Sequence, residues 1–258
     1  MKKVIFCVLI LCMRGWVCLY AQAAHNIAQA RLALYQRSSD VDDRLLNKLY
    51  TQIQSIQDPE EKMWLTARLG ILFCEAYLYH ASAFPFVRLD NLQPMYKEFR
   101  KNALKSKSVR VLQESGEFSF YMMRLFPRKK LAYLMDARMF FLKALSADRN
   151  NVKTKVGLGK WWVYRIMNVK NHEINHAVAQ VDKYLNEENI AAVLAMENDA
   201  WHRINMAHVY YLRAIVDRRA LRSDRARKDE KMAQSLLPSP VLHALMQSSH
   251  GNTPSGWF

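Results

Sequence analysis

Residues 136–162, DARMFFLKALSADRNNVKTKVGLGKWW, decide the fold. Ala137 and Ala144 stand seven residues apart with Phe140 and Phe141 between them, so small and aromatic side chains recur on one face at helical spacing. Asp148, Arg149, Asn150 and Asn151 interrupt that pattern. A second helical run follows, in which Gly159 lies among Leu158, Trp161 and Trp162. A residue without a Cβ there lets a neighbouring element come close. The stretch reads as two helices joined by a tight polar turn.

This order of residues resembles the tetratricopeptide repeat (TPR), a two-helix unit of about 34 residues that stacks side by side. Ala137, Phe141, Ala144, Leu145 and Asp148 match the second helix of one unit; Val152 opens the next, with Leu158 and Gly159 at its Leu and Gly positions. Arg149 departs from the pattern, standing where the family has Pro. Looser echoes occur at Ala67, Leu69, Gly70 and Phe73, and at Met206, Ala207 and Tyr210 followed by Ala226, Ala233 and Pro238.

The resemblance implies an all-α fold of stacked antiparallel helical hairpins, a TPR-like α-solenoid of degenerate repeats over residues 24–247. It implies a scaffold rather than a catalyst. Its concave groove would take a protein or peptide partner, and Phe141, Trp161, Trp162, Tyr164, Tyr210 and Tyr211 are candidates to line it. All six are also residue types that fill cores. In architecture and export the chain further resembles the helical periplasmic accessory subunits, the T components, of TRAP transporters, which would make the partner a transporter component.

Composition agrees with an all-helical reading: 7 Gly and 7 Pro in 258 residues, and no alternating Val/Ile run. Lys2 and Lys3, the apolar run 4–13, then Ala21, Gln22 and Ala23 follow the pattern of a secretory signal peptide, with cleavage expected after Ala23. The expected location is therefore periplasmic. Arg14 interrupts the apolar run, and an uncleaved signal acting as an anchor is the alternative. Cys18 follows Val17, where a lipid attachment signal prefers a small residue. Beyond residue 23 only Cys74 remains, so no internal disulfide is available there and the core must supply the stability. Residues 248–258 read as a disordered tail.

The net charge of +15 points to anionic counterparts. Export removes the chain from most nucleic acid, leaving anionic lipid headgroups of a membrane surface, cell-envelope polymers or an acidic protein, with Arg218, Arg219, Arg222 and Arg225 as the candidate contact. A basic helix over 95–113, with Lys97, Lys101 and Lys105 in line, reads as a solvated face. Residues 82–94 read as a connecting loop.

One motif argues for different chemistry. His172, Glu173, Ile174, Asn175 and His176 spell H-E-x-x-H, in which two His one helical turn apart ligate zinc and the Glu acts as general base on bound water. Glu197 has the spacing of a third ligand, with Glu187 and Glu188 closer. Against a metallopeptidase stand Lys170 just before the motif and the turn residues 168–171, which place the pair at a helix start. His202 and His208, six apart, lie off a common helix face. No Gly-rich phosphate loop and no G-x-S-x-G element is present, and no cofactor is expected.

Overall fold

The computed structural model describes residues 20–38, 40–80, 88–166, 174–196 and 199–248, and every regular element among them is helical. Helix α1 covers 20–35. It is followed by α2 (Asp43–Gln54), α3 (Pro59–His80), α4 (Leu89–Ala103), α5 (Val109–Leu125), a 3-10 turn at Pro127–Lys129, α6 (Lys130–Ala147) and α7 (Val152–Ile166). The remainder is α8 (Ile174–Tyr184), α9 (Glu187–Met196), α10 (Ala200–Arg219), α11 (Ser223–Leu236) and α12 (Pro240–Ser248).

Polar side chains start many of these helices by accepting an otherwise orphaned backbone N–H. Asp42 accepts from Leu45 N at 2.8 Å, Asp58 from Glu61 N at 2.8 Å, and Asp199 from His202 N at 2.7 Å. Asn does the same work in the turns: Asn151 Oδ1 accepts from Thr154 N at 3.0 Å, and Asn186 Oδ1 from Asn189 N at 2.7 Å. The turn expected at Asp148–Asn151 is thus where α6 gives way to α7.

Two boundaries differ from the sequence reading. Residues 81–87 lie outside the described residues, but from Leu89 the chain is helical and Pro94 lies inside α4 rather than in a loop. Coming in the second turn, its missing N–H costs only the bond to the Asp90 carbonyl. The basic run is not one helix either. α4 ends at Ala103, and the chain turns through Ser106, whose Oγ accepts from Ser108 N at 3.0 Å, before α5 begins. Ala23, the expected cleavage point, is buried within α1. The apolar run 4–13 and residues 249–258 lie outside the described residues.

Helices α3, α5, α7 and α10 are buried on nearly all sides and form an inner layer, α3 against α5, α5 against α7 and α7 against α10. The helix that follows each packs onto it from outside: α4 on α3, α6 on α5, α8 on α7, α11 on α10. Inner helices of this kind read as apolar all round rather than amphipathic.

Phe141 shows how tightly the layers meet. A Cβ at Gly116 of α5 would lie 2.5 Å from its ring, and one at Gly157 of α7 would lie 2.3 Å away. The ring of an α6 residue therefore enters a gap that only two glycines leave open. Gly159 is approached in the same way by the Leu185 side chain at 2.4 Å, and Gly70 by the Phe118 ring at 2.4 Å. Gly157→Ala is expected to overpack this contact and cost about 1–3 kcal/mol in a urea titration. A stability equal to the parent's would mean that the Phe141 ring moves aside freely.

Candidate functional site

The densest set of chemically capable side chains lies where the inner helices converge. α1 contributes Arg31 and Tyr35 one turn apart, and α3 contributes Glu75 and Tyr79 at the same spacing. α5 adds Tyr121 and Arg124, and α10 adds Trp201, Asn205 and His208 along one face. Each set follows the 3.6-residue period, so each helix presents its polar groups on the side that turns inward.

Arg31 and Glu75 form the centre, both side chains fully buried. Arg31 Nε donates to Glu75 Oε2 at 2.7 Å and Nη2 donates to Oε1 at 2.8 Å, a bidentate pair. Nη2 also donates to Tyr121 Oη at 2.9 Å, and Nη1 donates to Asn205 Oδ1 at 2.8 Å and to the Trp201 carbonyl at 3.4 Å. All five guanidinium N–H groups are used. Glu75 Oε1 further accepts from Tyr35 at 2.9 Å and from Tyr121 at 2.6 Å.

His208 Nε2 lies 2.8 Å from Tyr35 Oη and Nδ1 lies 3.3 Å from Tyr121 Oη, so the ring bridges the two hydroxyls that donate to Glu75. Burial, with Arg31 next, holds the His208 pKa well below the ordinary imidazole range, so the ring is neutral. Burial, then Glu75, pushes both the Tyr35 and Tyr121 hydroxyls up. Burial works against the Arg31 charge, but Glu75 outweighs it with the tyrosines and the pKa rises. Arg31, Tyr35, Tyr121 and His208 are each held in one protonation state around neutral pH. Glu75 has four donors and is fully buried, so the cluster is built to hold helices together rather than to move protons.

A stack of rings and guanidinium groups extends from it. Arg31 lies 4.1 Å over the Trp201 ring and Arg68 4.8 Å over the same ring. Arg68 also lies 4.2 Å over Trp64, as does Arg110. Arg68 Nε pairs with Glu114 at 3.2 Å. Beside this stack a cavity of ≈ 30 Å³, the room of one or two waters, touches Glu114, Glu117, Lys160, His202 and Asn205. Among the described residues no group hydrogen-bonds Glu114 Oε2, and Lys160 pairs with Glu117.

The residues singled out in the sequence fall elsewhere. Phe141, Trp161, Tyr164, Tyr210 and Tyr211 are core residues, and Trp162 is half-buried. Trp161 Nε1 donates to the Leu134 carbonyl, and Tyr211 to the Leu245 carbonyl. The arginines of α10 and α11 are largely committed within the fold. Arg218 pairs with Glu230, while Arg222 and Arg225 both pair with Asp182 and Asp217, tying α8, α10 and α11 together. Arg219 is exposed and reaches the Ile166 carbonyl at 3.4 Å.

His172, Glu173 and Glu197 lie outside the described residues. His176 is exposed, its ring edge-on to Trp162 at 5.5 Å, and Glu187 pairs with buried Arg213. Among the described residues no group of three His, Cys, Asp or Glu is placed to hold a metal ion.

The sequence does carry one signal for the buried cluster: a lone charge inside an apolar run, Arg31 in ARLALY and Glu75 in ILFCEAYLY. Which charge meets which is a tertiary fact, 44 residues apart along the chain. The chain matches no protein-family model, no curated protein and no solved structure.

Glu75→Ala leaves Arg31 buried without its counter-ion and is expected to cost about 3–5 kcal/mol in a urea titration. A loss near zero would mean that water reaches Arg31. His208 gives a pH signature. Because its folded pKa is depressed, its contribution is complete above the unfolded value of about 6.5 and is lost as pH falls below that. Stability should fall between about pH 7 and pH 5, and His208→Asn should flatten that slope by up to about 1.4 kcal/mol per pH unit. An unchanged slope would show that His208 is not held neutral.

Proposed function

We propose that the protein is an exported scaffold of TPR-like stacked hairpins that holds a peptide or protein partner of the cell envelope in the groove between α2, α3 and α4. The groove itself carries this reading. It has a volume of ≈ 480 Å³, a floor of Ile53, Met63, Leu69, Met95 and Phe99, exposed Tyr50 at one edge, and Lys62, Glu98 and Lys105 among its polar lining. An apolar floor with a few polar groups around it suits an amphipathic segment whose apolar side chains are buried and whose flanks stay wet.

The inner layer is the surface on which a stacked-hairpin scaffold would ordinarily be expected to bind. Here α1 reaches across to α10 through Arg31 and Tyr35, and the side chains that would face a ligand face one another instead. The groove between α2, α3 and α4 opens on the other side of α3, away from that network. Methionines at 63 and 95 favour a surface that adapts to more than one apolar side chain. Lys62 and Lys105 favour acidic flanks in the partner.

Peptide-display selection against the full chain tests the proposal. It should enrich segments with apolar residues at helical spacing and acidic flanks, and Met95→Glu should weaken binding of the enriched peptides at least about tenfold, the loss expected when a central apolar contact becomes a buried charge. No enrichment, or binding unchanged by Met95→Glu, would overturn it.

A further inference from the structure

We propose that the outer face of α4 and α6 is a docking surface for an anionic lipid bilayer, independent of the groove between α2, α3 and α4. α6 is apolar on both sides. Its inner face buries Tyr133, Leu134, Ala137, Phe140, Phe141 and Ala144. Its outer face leaves Leu131 63%, Met135 46% and Leu142 45% exposed, three of the six large apolar side chains that the described residues expose. At positions 131, 135, 138 and 142 the side chains follow one line along the helix, and the fourth member of that line is Arg138, exposed and lying 5.1 Å over the Trp161 ring. A helix apolar all round needs a second apolar environment.

The charges around the line identify that environment. Exposed Arg128 and Lys129 stand at one end of α6 and exposed Arg149 just beyond the other. α4 lies alongside, tied by Arg100 to Asp136 at 2.7 Å, and turns exposed Lys97 and Lys101 outward. Between the two helices a groove of ≈ 750 Å³ is lined by Lys97, Arg100 and Lys129 together with Tyr96, Phe126 and Tyr133. The acids on this side are few: Asp136 is paired with Arg100, leaving Asp90 and Glu98 of α4 and Asp148 at the end of α6 exposed.

Short apolar side chains ringed by Lys and Arg match the boundary between acyl chains and anionic headgroups. A second copy fits less well, since a two-fold contact through α6 would bring the basic ends of the same face together. No described helix is long and apolar enough to cross a membrane, so the contact is made in the plane of the surface. The cationic cluster on α10 and α11 is a weaker candidate, because Arg218, Arg222 and Arg225 are held in ion pairs.

Co-sedimentation of the full chain with vesicles tests the assignment. Vesicles of equal parts phosphatidylglycerol and phosphatidylcholine should bind it, with affinity falling as salt rises, and more tightly than phosphatidylcholine alone. Lys97→Gln and Lys101→Gln together should weaken binding to the anionic vesicles by about tenfold or more. Leu131→Ser, Met135→Ser and Leu142→Ser together should do the same, while Lys228→Gln with Lys231→Gln on α11 should leave it unchanged. Equal binding to both vesicle types, or retention of anionic binding in both α4 and α6 variants, would overturn the proposal. So would a reversible dimer in sedimentation velocity that the α6 serine variant abolishes while vesicle binding persists.

Discussion

The fold depends on one buried ion pair. Arg31 comes from α1 and Glu75 from α3, and through them α5 and α10 are held to the same point. Neither charge touches solvent, so the desolvation cost is large and is offset only because every guanidinium N–H has an acceptor and the carboxylate has four donors. Such a cluster adds less to net stability than an apolar plug of the same shape could. What it adds is selectivity among packings, because any other arrangement of these helices leaves a charge stranded. The consequence for function is geometric: the inner layer is filled with its own side chains, and the open surfaces lie outside it.

The cations divide along chemical lines. Arginines make most of the internal contacts: Arg31, Arg68, Arg213, Arg222 and Arg225 pair with carboxylates between helices, and Arg31, Arg68 and Arg110 stack on tryptophan. A planar guanidinium that forks onto a carboxylate and lies flat on an aromatic ring suits such places better than an ammonium. Several lysines instead stand in solvent on α4, where a compact, well-hydrated charge is at home. The excess positive charge is therefore one balance with two uses, and only the exposed part is available to a partner.

Part of the architecture is legible in the sequence. The turn at Asp148–Asn151 and the small-residue pattern around Gly159 both act locally, through turn residues and close approach, so the sequence states them directly. The end of α4 at Ala103 was harder to see, since Lys105 and Lys107 keep the basic pattern running through the turn. The aromatic candidates Phe141, Trp161 and Tyr164 were visible as a set, but a core and a groove use the same side chains and differ only in what lies opposite. For Phe141 what lies opposite is Gly116 and Gly157.

By itself, then, the sequence determined an all-helical fold, the turn at Asp148–Asn151 and the presence of a single Cys beyond residue 23, because periodicity, capping and cysteine count act through residues close together or through simple number. Tertiary structure alone decided that Arg31 meets Glu75, that Arg222 and Arg225 turn inward onto Asp182 and Asp217, and that Leu131, Met135 and Leu142 are left uncovered. Those outcomes depend on which helix faces which, and side chains tens of residues apart carry no local mark of their partners.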